Sequence, residues 1–284
     1  MAVLLGLAAA VVYGAADFMG GMASKRTGVL SVVLVSQLFG SALLALVLPF
    51  LLTEAFGSEP VLWGVAAGVS GGFGVLFLYR GLARGKMSVV APITAVGASS
   101  IPVVFGLLSG ESPGALAASG MALAIVAVIL VSLSPDAGDE PTPARRSAAA
   151  KGLLDAVAAG FFFAFFFIFL DVAGSAAGLW PLVGARVGSF ALIGLAALAA
   201  HQPLAPARGS MLTIAAVGVL DVAANVLYVL AIRTGLLSLV AVLTSLYPAS
   251  TVILARTVLG ERMSRPQLAG VALAAAGVAL MAAG

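Results

Sequence analysis

Three ionisable side chains fall inside long apolar stretches of the sequence: Asp17, Arg186 and Asp221. Taking a charge out of water is costly, and within a bilayer such a residue is a functional candidate by default. Asp221 lies near the middle of its stretch, too deep for a short side chain to reach water. Asn225 and Tyr228 follow at i+4 and i+7, so the three share one helix face. Asp17 has Tyr13 one turn before it and Gly20, Gly21 and Ser24 beyond, which makes a second polar and small stripe. It sits nearer the end of its stretch, where Lys25 or Arg26 could pair with it. Arg186 cannot shed its charge. It either pairs with Asp221 or Asp17, or receives a substrate carboxylate bidentately. The chemistry open to such groups is holding a proton, a cation or a small polar solute. The competing role for each is an interhelical hydrogen bond or ion pair that only holds the fold.

A second group combines helix breakers with hydroxyls. Pro92 and Pro102 fall in one apolar stretch and Pro248 in another, accompanied by Thr94, Ser99, Ser100, Thr244, Tyr247 and Ser250. Proline frees a backbone carbonyl and kinks a helix, and interrupted helices at matching places in two repeats point to a transport site. The alternative is ordinary membrane-helix proline, with hydroxyls bonded to their own backbone. Seven phenylalanines crowd residues 161–169. They cannot all face a cavity, but one face could form an aromatic wall for an apolar or cationic ligand.

The elements that position these residues follow from composition. The chain has 284 residues, 62% apolar and 9% charged. A soluble domain runs at about 45–50% apolar and about 25% charged, so a soluble enzyme, a nucleic-acid binder and a disordered chain are excluded. The apolar runs are continuous, unlike the alternating strands of a membrane barrel. The sequence therefore predicts an all-α integral membrane protein. Ten spans of about 20 residues fit at 2–21, 30–52, 60–82, 87–108, 114–133, 152–171, 179–200, 210–231, 236–257 and 265–283. The first reads as a retained helix, since it lacks a basic start and carries Asp17. There is no Cys and one His, His201, so neither disulfide nor metal site is expected. No phosphate-binding loop occurs and no cofactor is expected.

The longest polar stretch, Ser134 to Lys151, separates two similar halves, 1–133 and 152–284. Gly85–Val131 aligns without a gap on Gly235–Met281, with fourteen of 47 positions identical. They include Ser88/Ser238, Thr94/Thr244, Ser100/Ser250, Gly110/Gly260 and Glu111/Glu261, polar matches that shared Ala/Leu bias does not produce. Five spans per copy is odd, so the second copy is inverted. Loop charges agree: Lys25, Arg26, Arg80, Arg84, Lys86, Arg145, Arg146, Lys151, Arg208, Arg256, Arg262 and Arg265 fall around odd-numbered loops, with Arg233 the exception. Basic loops stay cytoplasmic, which predicts both termini outside a cell membrane. The paired Gly-Glu turns read as structural, Gly stopping one helix and Glu sitting by the N-terminus of the next. Asp155 and Asp171, near the two ends of span six, are expected at the membrane surface. Gly120/Ala124 and Gly270/Ala274 are small-residue pairs suited to a close helix seam.

The second half also carries Leu243-Thr244-Ser245-Leu246-Tyr247-Pro248, then Leu259-Gly260-Glu261-Arg262, Gln267-Leu268-Ala269-Gly270 and a small-residue tail at 274–278. The first half repeats this through Ala91-Pro92-Ile93-Thr94 and Gly110-Glu111. The chain resembles the drug/metabolite transporter superfamily, EamA type, over essentially its whole length. The resemblance implies a ten-helix transporter of small metabolites, amino acids or drugs, often an exporter. It also implies cytoplasmic termini, opposite to what the loop charges imply.

Together these readings predict a secondary active transporter working by alternating access, with Asp221 as the carrier of a proton or cation. The expected partners are a small-molecule substrate, protons and the lipid bilayer, in a monomer or homodimer that binds no nucleic acid. The other function class that fits is a non-transporting membrane scaffold or subunit. A membrane enzyme is disfavoured because no nucleophile, metal cluster or acid pair is assembled.

Overall fold

The structure, a computed structural model, describes the backbone of residues 1–51, 56–84, 87–132, 143–174, 177–200, 205–259 and 264–283. Side chains are described over the same residues except 51, 87–89, 131–132, 143–149, 252, 255–256 and 259. Within them the regular elements are α-helices. They are α1 (Ala2–Arg26), α2 (Val29–Leu51), α3 (Ser58–Arg84), α4 (Met87–Leu108), α5 (Ala115–Ser132), α6 (Pro143–Val172), α7 (Trp180–Ala200), α8 (Met211–Ile232), α9 (Leu237–Thr244), α10 (Tyr247–Leu259) and α11 (Arg265–Ala283). Eight are long and apolar enough to cross a membrane, and shorter apolar helices cover 115–130 and 237–251. Helices are what such sequences must form, because hydrocarbon offers no partner to an unpaired backbone group.

Two expectations change. Spans four and nine were both expected to be interrupted, yet α4 runs through Pro92 and Pro102 unbroken. Only span nine breaks, at Ser245-Leu246 just ahead of Pro248, giving α9 and α10. Pro248 sits at the second position of α10, where its missing N–H costs nothing. The polar connection also shortens, since helical backbone already begins at Pro143. Residues 133–142 and the Gly260-Glu261-Arg262 turn lie outside the described residues.

The helices do not pack half against half. α3 packs on α6 and α7, and α4 on α6; α8 packs on α1 and α2, and α1 on α9 and α10. Two four-span groups result, each with two spans from either half of the sequence: α3, α4, α6 and α7, and α1, α2, α8 and α9–α10. α5 and α11 pair with each other, and α4 meets α9 where the groups join.

Glycines set the spacing. A Cβ on Gly68 would overlap the Ala185 carbonyl of α7, and one on Gly218 would overlap the Ser36 carbonyl of α2. The α5/α11 seam closes in the same way at Gly120 and Gly277, beside buried Ala124 and Ala274. Without a hydrophobic force between helices in lipid, backbone approach of this kind supplies the packing.

Charged residues fix two further joints. Asp155, expected at the surface, is buried at 3% exposure and pairs with Arg80 (2.8 Å) and Arg84 (3.1 Å) of α3. Glu111 was expected to serve α5, the next helix. Gly110 does end α4, in the left-handed region at φ 96°, but the Glu111 carboxylate turns away from α5. It accepts the N–H groups of Leu237 (2.6 Å) and Ser238 (3.0 Å), capping α9 of the opposite group. Free N–H groups and the helix dipole both favour a carboxylate there.

Candidate functional site

Between the two groups lies a cavity of about 70 Å³. That is room for about five waters, at roughly 10–15 Å³ each. From α1, Tyr13 and Asp17 line it, spaced one turn apart. Asp221 and Asn225 of α8 line it likewise, with Gln37 of α2 and Arg186 of α7.

These residues are wired together. The Tyr13 hydroxyl donates to Asn225 Oδ1 at 2.8 Å, and Asn225 Nδ2 donates to the Asp221 carbonyl at 2.7 Å. Arg186 Nη2 donates to Asp221 Oδ2 at 2.7 Å, and its Nη1 donates to Gln37 Oε1. Arg186 therefore crosses from one helix group to the other, its side chain 12% exposed and that of Asp221 27%. Charge-assisted bonds of this kind are the strong ones. Asp17 stands outside the network: among the described residues no side chain pairs with it.

The opposite wall comes from α3 and α6. Gly68, Gly71, Gly72 and Val75 leave space, and Tyr79, Phe163, Phe166 and Phe167 supply rings. A Cβ on Gly71 would press into the Phe166 ring, and one on Gly20 into the Tyr79 ring. Thus the glycines admit the aromatic side chains. Phe162 turns away and stacks on Phe73 (5.0 Å) and Phe77 (5.7 Å). Phe161 is 49% exposed.

At the break in span nine, Thr244, Ser245 and Tyr247 reach the cavity. Tyr247 donates to the Ala91 carbonyl at 2.8 Å, joining α10 to α4. The Thr244 hydroxyl is buried without a hydrogen-bond partner among the described residues.

The structure thus gathers Asp17, Tyr13, Arg186, Asp221, Asn225, Thr244 and Tyr247 of the expected residues. Others fall elsewhere. Tyr228 is fully buried away from the cavity against Phe167, at 4.4 Å between ring centroids. Seven residues on from Asp221, it stays within about 20° of the same face but stands two turns, roughly 10 Å, further along α8, past the end of the cavity. Thr94 donates to the Ala156 carbonyl (3.1 Å), Ser99 to that of Ala95 (2.9 Å) and Ser250 to those of Tyr247 (2.8 Å) and Ala10 (3.3 Å). Each is a hydroxyl satisfied by backbone. Ser100, Pro92 and Pro248 are also off the cavity. Gln37 and Tyr79 were missed. Tyr79 was readable: Gly68, Gly72, Val75 and Tyr79 recur at three- and four-residue spacing along one face. Gln37 is a single polar residue whose role depends on Arg186, 149 residues away.

A multi-pass helical membrane protein whose midspan cavity gathers charge is built as a transporter. The sequence bears this out: the chain belongs to the EamA-like transporter family, of the drug/metabolite transporter superfamily, whose family model matches residues 1–133 and 150–283. Its fold is similar to that of a solved structure described only as a crystal structure of a protein. The TM-score is 0.69 at 18% identity, covering 98% of this chain and 95% of the other. No curated protein matches the sequence.

Proposed function

We propose that the chain is a secondary active transporter that exports small metabolites, amino-acid-like compounds or drugs by alternating access. Its two five-span halves, 1–133 and 152–284, are inverted copies, and the cavity opens in turn to each side. The crosswise packing supports rocking between the two four-span groups in place of rocking between the halves.

The observation that carries the reading is Asp17, a carboxylate on the cavity with no ion-pair partner among the described residues. It is the group free to exchange a proton, or another cation, against substrate. Asp221 had the better position in sequence, but its bond to Arg186 suits it to a link between groups. The family match favours transport over a scaffold, and the loop charges support odd-numbered loops in the cytoplasm and both termini outside.

The test is flux in proteoliposomes across a metabolite panel, with and without a pH gradient. The expected result is gradient-stimulated flux that Asp17→Asn uncouples while substrate still equilibrates. Gradient-driven flux unchanged by Asp17→Asn would falsify the assignment. Flux with no substrate under any gradient overturns active transport.

A further inference from the structure

We propose that the cavity selects a compact organic cation, an ammonium group on an apolar body, and rejects the anion of the same shape. The inference rests on reading this cavity as the transport site, and names its substrate class.

The charges decide it. Two chemistries compete for the cavity, a substrate carboxylate on Arg186 and a cationic ligand against the aromatic wall. In the structure the terminal nitrogens of Arg186 are already committed, Nη2 to Asp221 and Nη1 to Gln37. A substrate carboxylate could reach only the N–H groups that these bonds leave over, and would have to share the guanidinium with the Asp221 carboxylate beside it. Among the described residues lining the cavity there is no other Lys or Arg. Arg186 and Asp221 cancel, so once Asp17 has released its proton the lining carries one uncompensated negative charge. An anion placed there would meet that charge in a poorly solvated space, where opposition is weakly screened. A cation would restore neutrality.

The remaining features fit an ammonium. It has three donors and no acceptor. Asp17 offers two carboxylate oxygens, and the unpartnered Thr244 hydroxyl, on a residue 1% exposed, offers another acceptor on the same cavity. Tyr79, Phe163 and Phe166 line the cavity with aromatic rings, which supply apolar surface and a ring type that attracts cations. Five waters occupy roughly 150 Å³ of liquid, which suits a body about the size of one aromatic ring.

The experiment uses three molecules of nearly one shape: benzylamine, benzoate and benzyl alcohol. Thermal unfolding of the purified full chain in nanodiscs is recorded with each at equal millimolar concentration, near neutral pH, where the amine is a cation. A bound ligand raises the unfolding temperature by mass action. Benzylamine is expected to raise it and the other two are not. Asp17→Asn should weaken the apparent affinity for benzylamine at least ~10-fold, equivalent to about 1.4 kcal/mol. Thr244→Val, which keeps the shape and removes the hydroxyl, should weaken it several-fold. If Asp17→Asn does not fold, the unmodified chain and Thr244→Val still decide. Equal shifts from all three molecules, a larger shift from benzoate, or no shift from any of them overturns the proposal. So does an amine preference that survives Asp17→Asn. The outcomes separate from those of the transport reading. An amine shift without flux in the vesicle panel leaves the cation site standing and overturns transport. Flux of anions or zwitterions without an amine shift does the reverse.

Discussion

Positions 150 residues apart face the same cavity from opposite groups of helices, and they carry opposite chemistry. On α1 stand Tyr13 and Asp17; on α6 their counterparts are Phe163 and Phe167. On α8 stand Asp221 and Asn225; on α3 their counterparts are Gly71 and Val75. The framework behind them has stayed alike. Gly68 and Gly218, again 150 apart, each sit against a carbonyl of a neighbouring helix. The two halves thus share packing positions that resist change, because any Cβ there collides with backbone. The lining positions face space and are under no such constraint. One wall became a hydrogen-bonded polar network and the other a set of rings and gaps. An asymmetric cavity can hold a solute with a charged end and an apolar end in one orientation, which a symmetric one cannot.

The polar wall should be the costlier to break. Arg186→Ala leaves Asp221 without its counter-charge, and removing one member of a buried pair costs about 3–5 kcal/mol. The lower end, about 3 kcal/mol, is expected because the Asp221 side chain is 27% exposed. Thermal or denaturant unfolding in detergent measures it. The double replacement Arg186→Met with Asp221→Leu should recover most of the loss, since paired apolar substitution removes both desolvation costs. A double variant as unstable as Arg186→Ala would show that the pair is not the unit.

The scaffold should respond symmetrically where the lining does not. Gly68→Val and Gly218→Val each force a side chain against a carbonyl, and overpacking costs about 1–3 kcal/mol. The two losses should agree closely in the same unfolding assay. A large loss at one and none at the other would break the claim that the framework is shared.

The sequence made much of this legible, for physical reasons. Continuous apolar runs allow only helices in lipid, so the spans and their number could be read directly. Charges in those runs are so costly that Asp17, Arg186 and Asp221 identified themselves, and all three line the cavity. What could not be read was partnership. Proline position did not reveal that α4 continues while span nine breaks. Glu111 sits at a turn where local rules give it to α5, yet it caps α9, 126 residues away in sequence. Asp155 looked superficial from its place in span six until Arg80 and Arg84 of α3 were packed beside it. Helix patterns report which face is polar, but long-range packing decides what that face meets. The same holds for Tyr228, whose spacing from Asp221 suited the polar face and whose ring instead packs on Phe167.

The finest test of the two walls exchanges a single oxygen atom between them. Tyr13→Phe gives α1 the side chain that α6 carries at the equivalent position. It removes the 2.8 Å bond to Asn225 Oδ1, on a residue only 4% exposed. A lost intramolecular hydrogen bond costs about 1 kcal/mol, and more when the abandoned partner cannot find water. Phe163→Tyr makes the converse change on the opposite wall. Its ring borders the cavity, so the added hydroxyl can point into open space and meet water, and stability should change by no more than about 0.5 kcal/mol. The pair of measurements is sharper than either alone, since both substitutions add or remove the same atom in the same cavity. Equal and opposite effects would mean that the oxygen is valued alike on both sides, and that the polar network on α1 and α8 is not a built unit. A clear loss for Tyr13→Phe beside a null for Phe163→Tyr means that the hydroxyl on α1 is worth what it is because Asn225, held by the Asp221 carbonyl, is waiting for it.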